Sequence, residues 1–349
     1  MDDGTGAKKV LPHYFAILQK KSLPYFKLLR KIPCKKQKTI RAMWNEHERA
    51  MRRFDGMKTL SRAEALSLAD ADHSLLDLKI SIARKLLESC IFCERRCKVN
   101  RIKGEKGWCR VGAESRVSNM FEHLGEERFL VPSGTIFFSG CNWACVYCQN
   151  WDISQFPERG TVMSGEQIAG WLDFRAQTGR IINANFVGGE PTPNLHTILE
   201  TMQYLESDIP MIWNSNMYMS EETVKLLDGA MDAHLADFRY GSNECAMKLS
   251  NAPKYMETIT RNFKLIENRA DLIVRILVIP SHVDCDAIPI INWLSENMPE
   301  TVYVNLMSQY FPHWKANKME GLNRRLGSSE FRKAADHLRK SKIKYYEIQ

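Results

Sequence analysis

Polar and apolar positions change rhythm twice along this chain. Up to about Ser89 the pattern is helical. Leu66, Leu68, Leu75, Leu76, Leu78, Ile80, Ile82, Leu86 and Leu87 can line one apolar face across two short helices. Ser61 and Glu64 form an S-x-x-E capping box ahead of them. From Thr135 onward, short apolar runs alternate with longer mixed segments. Runs at Thr135–Ser139, Ile182–Val187, Met211–Asn214, Ala233–Asp237, Leu272–Ile279 and Val302–Met307 read as strands. Helices are expected between them. One starts after Ser164, where Gln167 completes a capping box. Another starts near Ser220 and stops at Gly229, and a last one spans about Ser329–Lys340. This alternation implies βα units and a parallel sheet.

Two cysteine-rich stretches carry the candidate chemistry. Upstream, Cys90, Cys93, Cys97 and Cys109 share one short span, with Gly104 and Gly107 providing turns between the last two. Four cysteines so close fit metal binding better than core packing. Zinc sites usually pair two C-x₂-C knuckles. The C-x₂-C-x₃-C bunching is nearer to ferredoxin spacing. A second iron–sulfur cluster and a zinc ion both stand as readings, the cluster ahead. Downstream, Cys141, Cys145 and Cys148 form C-x₃-C-x₂-C on one loop after a strand-like run. Three thiolates can hold three irons of a cubane [4Fe–4S] cluster and leave the fourth iron open to a small molecule. A structural zinc site wants four ligands, and no fourth Cys or His follows nearby. Gly188-Gly189-Glu190-Pro191 closes the next apolar run. Glycines let a backbone approach a ligand closely, and a carboxylate suits an ammonium.

Taken together, Cys141, Cys145, Tyr147, Cys148 and Gly188-Gly189-Glu190-Pro191 resemble the radical S-adenosylmethionine (SAM) superfamily. The resemblance covers the last two-thirds of the chain and implies a partial (β/α)₆ barrel. It implies a [4Fe–4S] cluster whose open iron binds the amino and carboxylate groups of SAM. Reductive cleavage then yields a 5′-deoxyadenosyl radical, with a flavodoxin or ferredoxin as reductant. It implies that Tyr147 touches the adenine and that Gly188, Gly189 and Glu190 receive the SAM ammonium. Within the superfamily the chain is similar to pyruvate formate-lyase activating enzyme-like proteins. That likeness rests on the upstream cysteines, Ser133-Gly134-Thr135-Ile136-Phe137-Phe138-Ser139-Gly140, and Cys148-Gln149-Asn150. The long basic N-terminal region departs from the activating enzymes and points to an uncharacterised branch. A protein or peptide substrate is the implied target.

In such barrels, function sits at the C-terminal strand ends. Asn214, Ser215 and Asn216, Asp237 and Arg239, His282, Asn305 and Gln309 all fall there. Asn214 and Ser215 are candidate SAM contacts. Arg275 lies inside an apolar strand, where an unpaired charge is costly. It either holds a SAM carboxylate or substrate, or pairs with a structural carboxylate. His282 reads as a loop histidine, and His123, Glu126 and Glu127 as a solvated loop. Cys34, Cys245 and Cys285 read as small buried hydrophobes.

Composition narrows the class further. The chain has 349 residues, 44% hydrophobic and 26% charged, an ordinary globular balance with no uncharged stretch of membrane-spanning length. Ten cysteines, seven of them in two clusters, fit metal ligation in a reducing cytoplasm better than disulfides. Residues 1–60 hold 15 basic and 5 acidic side chains, so they account for the whole net charge of +8. A solvated arm is the expectation, with Tyr14, Phe15, Tyr25, Phe26 and Trp44 packing part of it. An acidic protein or a nucleic acid is the alternative use of that charge. The expected organisation is a basic helical region at 1–89, a four-cysteine module at 90–118 and the barrel at 119–349. The competing class is a non-catalytic iron–sulfur or zinc protein that binds a partner through its basic arm. The Gly188-Gly189-Glu190 segment favours the enzyme, because a binding module needs no ammonium site.

Overall fold

All six predicted strands form in the computed structural model, and side-chain parity along them divides the interior into two faces. The structure describes residues 6–349; residues 1–5 of the predicted 1–89 region lie outside the described residues. The strands are β1 (Arg116–His123), β2 (Ser133–Phe138), β3 (Thr161–Val162), β4 (Asn183–Gly188), β5 (Met211–Ser215), β6 (Ala233–Asp237), β7 (Asp271–Leu277), β8 (Tyr303–Met307) and β9 (Tyr345–Ile348). They lie in one sheet in the order β3-β1-β2-β4-β5-β6-β7-β8-β9. From β2 through β9 every neighbouring pair is parallel, while β1 and β3 add antiparallel edges. The fold is therefore α/β, and the expected open barrel gains a seventh parallel strand, β9.

Successive strand residues point to opposite faces. Ile136, Phe138, Ala184, Phe186, Trp213, Val274, Ile276, Val304 and Leu306 belong to the core formed with the surrounding helices. Ile212, Ala233, Leu235, Ile273 and Tyr303 belong to a separate inner core at the N-terminal ends of the strands. Burial on both faces explains why these strands read as continuous apolar runs. The predicted capping boxes at Ser61–Glu64 and Ser164–Gln167 are both present, and Ser74–Asp77 makes a third. Gly229 has φ +76°, as its place after the helix Glu221–Leu227 requires.

The N-terminal region is packed against the barrel, contrary to the expected solvated arm. Leu11 and Tyr14 are fully buried and close the inner core from below. Large side chains buried this way each contribute about 1.5–3 kcal/mol. Two strand-end carboxylates fasten the plug. Asp271 accepts from the Tyr14 amide at 2.7 Å. Asp232 accepts from the Tyr25 amide at 2.8 Å and the Met211 amide at 2.7 Å, and also faces His13. The basic side chains do internal work as well. The Arg30 guanidinium caps the helix Leu195–Tyr204, donating to the carbonyls of Met202, Gln203 and Leu205.

Lys79 is wholly buried, 2.9 Å from both His47 Nε2 and the Lys225 carbonyl. Burial pulls its ammonium down to about 7, against roughly 10.4 in an unfolded chain. Between those values the unfolded chain binds the extra proton, so stability rises with pH across that window and is flat below it. Asp271, pushed up to about 7 by burial, titrates below the window. The thermal midpoint of the wild type, measured relative to a Lys79→Met variant, should therefore climb between pH 7 and pH 10, roughly the span of the two values. A difference that stays constant over that range would refute this account of Lys79.

Candidate active site

The cysteine loop follows β2 through a turn that only glycine permits. Gly140 has φ +90°, and a Cβ there would lie 2.3 Å from Val111 Cγ2. The end of β4 comes equally close. A Cβ on Gly188 would lie 2.0 Å from the Phe138 carbonyl oxygen, and one on Gly189 would lie 2.3 Å from that of Gly140. The sequence suggested that this pair lets a backbone meet a ligand. In the fold the two glycines first let β4 meet β2 and the cysteine loop. The loop is also strapped to the helix Asn243–Ser250, with Ala144 N donating to Ser250 O at 3.0 Å and Val146 N to Leu249 O at 2.8 Å.

Cys141, Cys145 and Cys148 all line one cavity of about 390 Å³ at the C-terminal strand ends, within the usual range for ligand pockets. Each sulfur has a polar neighbour. Cys141 Sγ accepts from the Trp143 amide at 3.3 Å, Cys145 Sγ from Ser250 Oγ at 2.9 Å, and Cys148 Sγ lies 3.5 Å from Ser154 Oγ. Burial pushes the Cys145 thiol up to about 11 and holds the other two up as well. Thiols in such surroundings ionise when a metal claims them.

Glu190 is the hub of the cavity wall. Its carboxylate is buried and accepts from Thr192 Oγ1 at 2.5 Å, Ser215 Oγ at 2.7 Å, Asn216 N at 3.0 Å and Thr192 N at 3.2 Å. Burial raises its pKa, and these donors pull the other way. Asn216 continues the network, donating to Asn142 Oδ1 on the cysteine loop at 2.7 Å. Tyr147 is buried with its hydroxyl 2.6 Å from that of Tyr240, which also meets Ser250 Oγ. Tyr147, Gly188, Gly189, Glu190, Asn214, Ser215 and Arg275 all line the cavity with the three cysteines.

Arg275 points inward, and two glutamates read from sequence as solvated engage it. Its guanidinium donates to Glu127 at 2.8 and 2.6 Å and also meets Glu126. Glu127 accepts from Asn305 Nδ2 at 2.9 Å, and Glu126 from Asn185 Nδ2 at 3.0 Å. Burial opposes the Glu126 charge, but Arg275 and His123 hold that carboxyl down at about 2. The signal in the sequence was Arg275 itself, since a cation inside a buried strand demands a carboxylate partner. Arg239, paired with Asp237 at 2.6 Å, is a second cavity cation. His282, in contrast, faces Cys245 and Cys285.

The upstream cysteines form a neighbouring group. The charges of Cys109, Cys90 and Cys97 all add to the effect of burial in raising Cys93. The module sits on the barrel through Phe92 O, which accepts from Ser220 N, Ser220 Oγ and Thr223 Oγ1. Arg95 joins it to the cysteine loop, donating to Asn142 O at 3.0 Å while stacking 3.9 Å above the Trp108 ring.

The sequence profile of the Radical SAM superfamily matches residues 135–294, the stretch from β2 through the helix after β7. The chain belongs to the radical SAM superfamily. It is 42% identical over 303 residues to the uncharacterized protein MJ0674 of Methanocaldococcus jannaschii, covering 85% of this chain and 87% of that protein. Among solved structures, Streptococcus suis SuiB bound to precursor peptide SuiA is 11% identical with a TM-score of 0.44, over 60% of this chain and 46% of that one. SuiB bound to S-adenosylmethionine is 12% identical with a TM-score of 0.38, over 60% of this chain and 48% of that one. The chain thus spans less than half the length of these SuiB structures.

The superfamily's cofactors are a [4Fe–4S] cluster and SAM, and the donor set here fits them. The cavity lining, among the described residues, holds three cysteines and no fourth. Gly189→Ala should drive a Cβ into the Gly140 carbonyl. Overpacking of this kind costs about 1–3 kcal/mol. Reconstituted protein should then keep its circular dichroism while most of the iron at the loop is lost. Full iron content in that variant would show that the close approach does not set the loop.

Proposed function

We propose that Cys141, Cys145 and Cys148 ligate the [4Fe–4S] cluster, and that Glu190, Ser215 and Asn214 bind SAM against it. The observation that carries this reading is the convergence of three thiols and one buried carboxylate on a single cavity. When bound, cluster and SAM supply a 5′-deoxyadenosyl radical by reductive cleavage. The chain's own residues bind and orient. Glu190 offers a negative, immobile acceptor for the SAM ammonium. Tyr147 offers an aromatic wall, and Gly188 and Gly189 offer bare backbone. Arg239 is the nearer candidate for the SAM carboxylate, because its charge acts on Cys145 and Cys148. Arg275 is proposed instead to set the polar floor together with Glu126 and Glu127. The target is proposed to be a protein or peptide and the electron donor a flavodoxin or ferredoxin, in a reducing cytoplasm. No helix among the described residues is long and apolar enough to cross a membrane.

The 90–109 module is proposed to hold a second iron–sulfur cluster in preference to zinc. Its bunched spacing supports this. One variant tests both centres. Changing Cys141, Cys145 and Cys148 together to Ala should abolish formation of 5′-deoxyadenosine from SAM and dithionite under anaerobic conditions. It should leave about four irons per chain, those of the module. Retained SAM cleavage would sink the first assignment, and about one zinc with no iron would sink the second.

Glu190→Gln tests the ammonium site separately. On cluster-loaded protein it should weaken SAM binding about ten-fold or more, the equivalent of losing a charge-assisted hydrogen bond of ~1.5–3 kcal/mol. Because four donors meet this carboxylate, the thermal midpoint should fall as well. A lower midpoint with unchanged SAM affinity would reduce Glu190 to a structural role.

A further inference from the structure

A third group of metal-ligating side chains lies outside both cysteine motifs. Cys245, His282, Cys285 and Asp286 place one ligand atom each within 4.8 Å of all the others. They come from two different strand-to-helix connections. Cys245 stands in the first turn of the helix Asn243–Ser250 that follows β6. The other three follow β7, where residues Val283–Ala287 form a π-helical turn. Single π turns are rare and recur at functional sites.

The distances converge on one ring nitrogen. His282 Nδ1 lies 3.0 Å from Asp286 Oδ2, 3.3 Å from Cys285 Sγ and 3.7 Å from Cys245 Sγ. One ring nitrogen makes one good hydrogen bond, so three partners exceed what hydrogen bonding uses. Tetrahedral bonds of about 2.0–2.3 Å to N, O and S place neighbouring ligand atoms roughly 3.3–3.8 Å apart. These separations are close to that pattern.

The surroundings also fit a built site. The second carboxylate oxygen of Asp286 accepts from the Gly241 amide at 2.8 Å, an orienting contact of the kind metal ligands receive. Gly241 permits this packing, because a Cβ there would lie 2.4 Å from the Cys285 carbonyl oxygen. Cys245 and Asp286 are buried, and Cys285 is exposed and opens the group to solvent.

We propose that Cys245, His282, Cys285 and Asp286 bind a single divalent ion of the zinc class, clamping the β6 and β7 connections together beside the cavity. Two thiolates with one imidazole and one carboxylate make a borderline-soft, closed tetrahedral set suited to zinc. Gly241, whose amide meets Asp286, lies two residues beyond Arg239, so the clamp positions that cavity cation through Tyr240 and Gly241.

The test uses anaerobically reconstituted full-length protein with its clusters loaded, exposed to Zn²⁺ or Co²⁺ and then desalted. The wild type should retain about one zinc more per chain than the Cys245→Ser/Cys285→Ser double variant. Its cobalt form should show thiolate charge-transfer absorption that the variant lacks. Asp286→Asn should weaken zinc binding roughly ten- to a hundred-fold. Iron content and circular dichroism check that the variants are folded; if the double variant fails this check, His282→Gln replaces it. Equal zinc retention by wild type and variant would overturn the proposal. So would a Cys245–Cys285 disulfide found by mass mapping of the anaerobic protein.

Discussion

Backbone contact between the turn at Gly140 and the end of β4 sets the distances on which the cavity depends. Neither Gly188 nor Gly189 can carry a Cβ without entering the carbonyl of the neighbouring segment. Once that contact is made, Glu190 is delivered to the cavity wall with no freedom left. Its buried charge is tolerable because hydroxyl and amide donors surround it. Two of those donors belong to the end of β5, so the same carboxylate also fixes the next strand. Asn216 then passes the constraint back to the cysteine loop through Asn142. The result is a closed circuit of contacts among β2, β4, β5 and the loop.

Much of this circuit was legible in sequence because its parts are local. Three cysteines on one loop, a glycine pair at a strand end and S-x-x-E/Q boxes each declare themselves within a few residues. The parallel strands were legible for a different reason. Burial on both faces makes them unbroken apolar runs, and a polar residue such as Asn214 or Asp237 marks where each run meets the cavity. The strands β1 and β9 lack that signature. Arg116–His123 is mostly half-buried or exposed, and Tyr345–Ile348 is half-buried throughout. Their pairing partners, and not their own composition, make them strands.

Contacts between distant segments were the illegible part. Glu126 and Glu127 look like loop charges until Arg275, some 150 residues later, is placed opposite them. The same holds for Cys245, which reads as a small hydrophobe until His282 and Cys285 are brought beside it. The basic N-terminal region misled in the opposite sense. Charge density suggested solvent, but Arg30 spends its donors on helix-end carbonyls, and Lys79 is buried outright. Long cationic side chains can cap and cover at once.

The plug at the base of the barrel has a consequence for how the chain is made. Leu11 and Tyr14 are made well before their partners Asp271, Ile273 and Tyr303, with 257 positions between Tyr14 and Asp271. During synthesis that apolar surface must wait for β7 and β8 to appear. Contacts of such sequence separation are slow to form and leave partly folded species exposed. The bottom of this barrel is therefore sealed late, by a segment made long before the strands it covers.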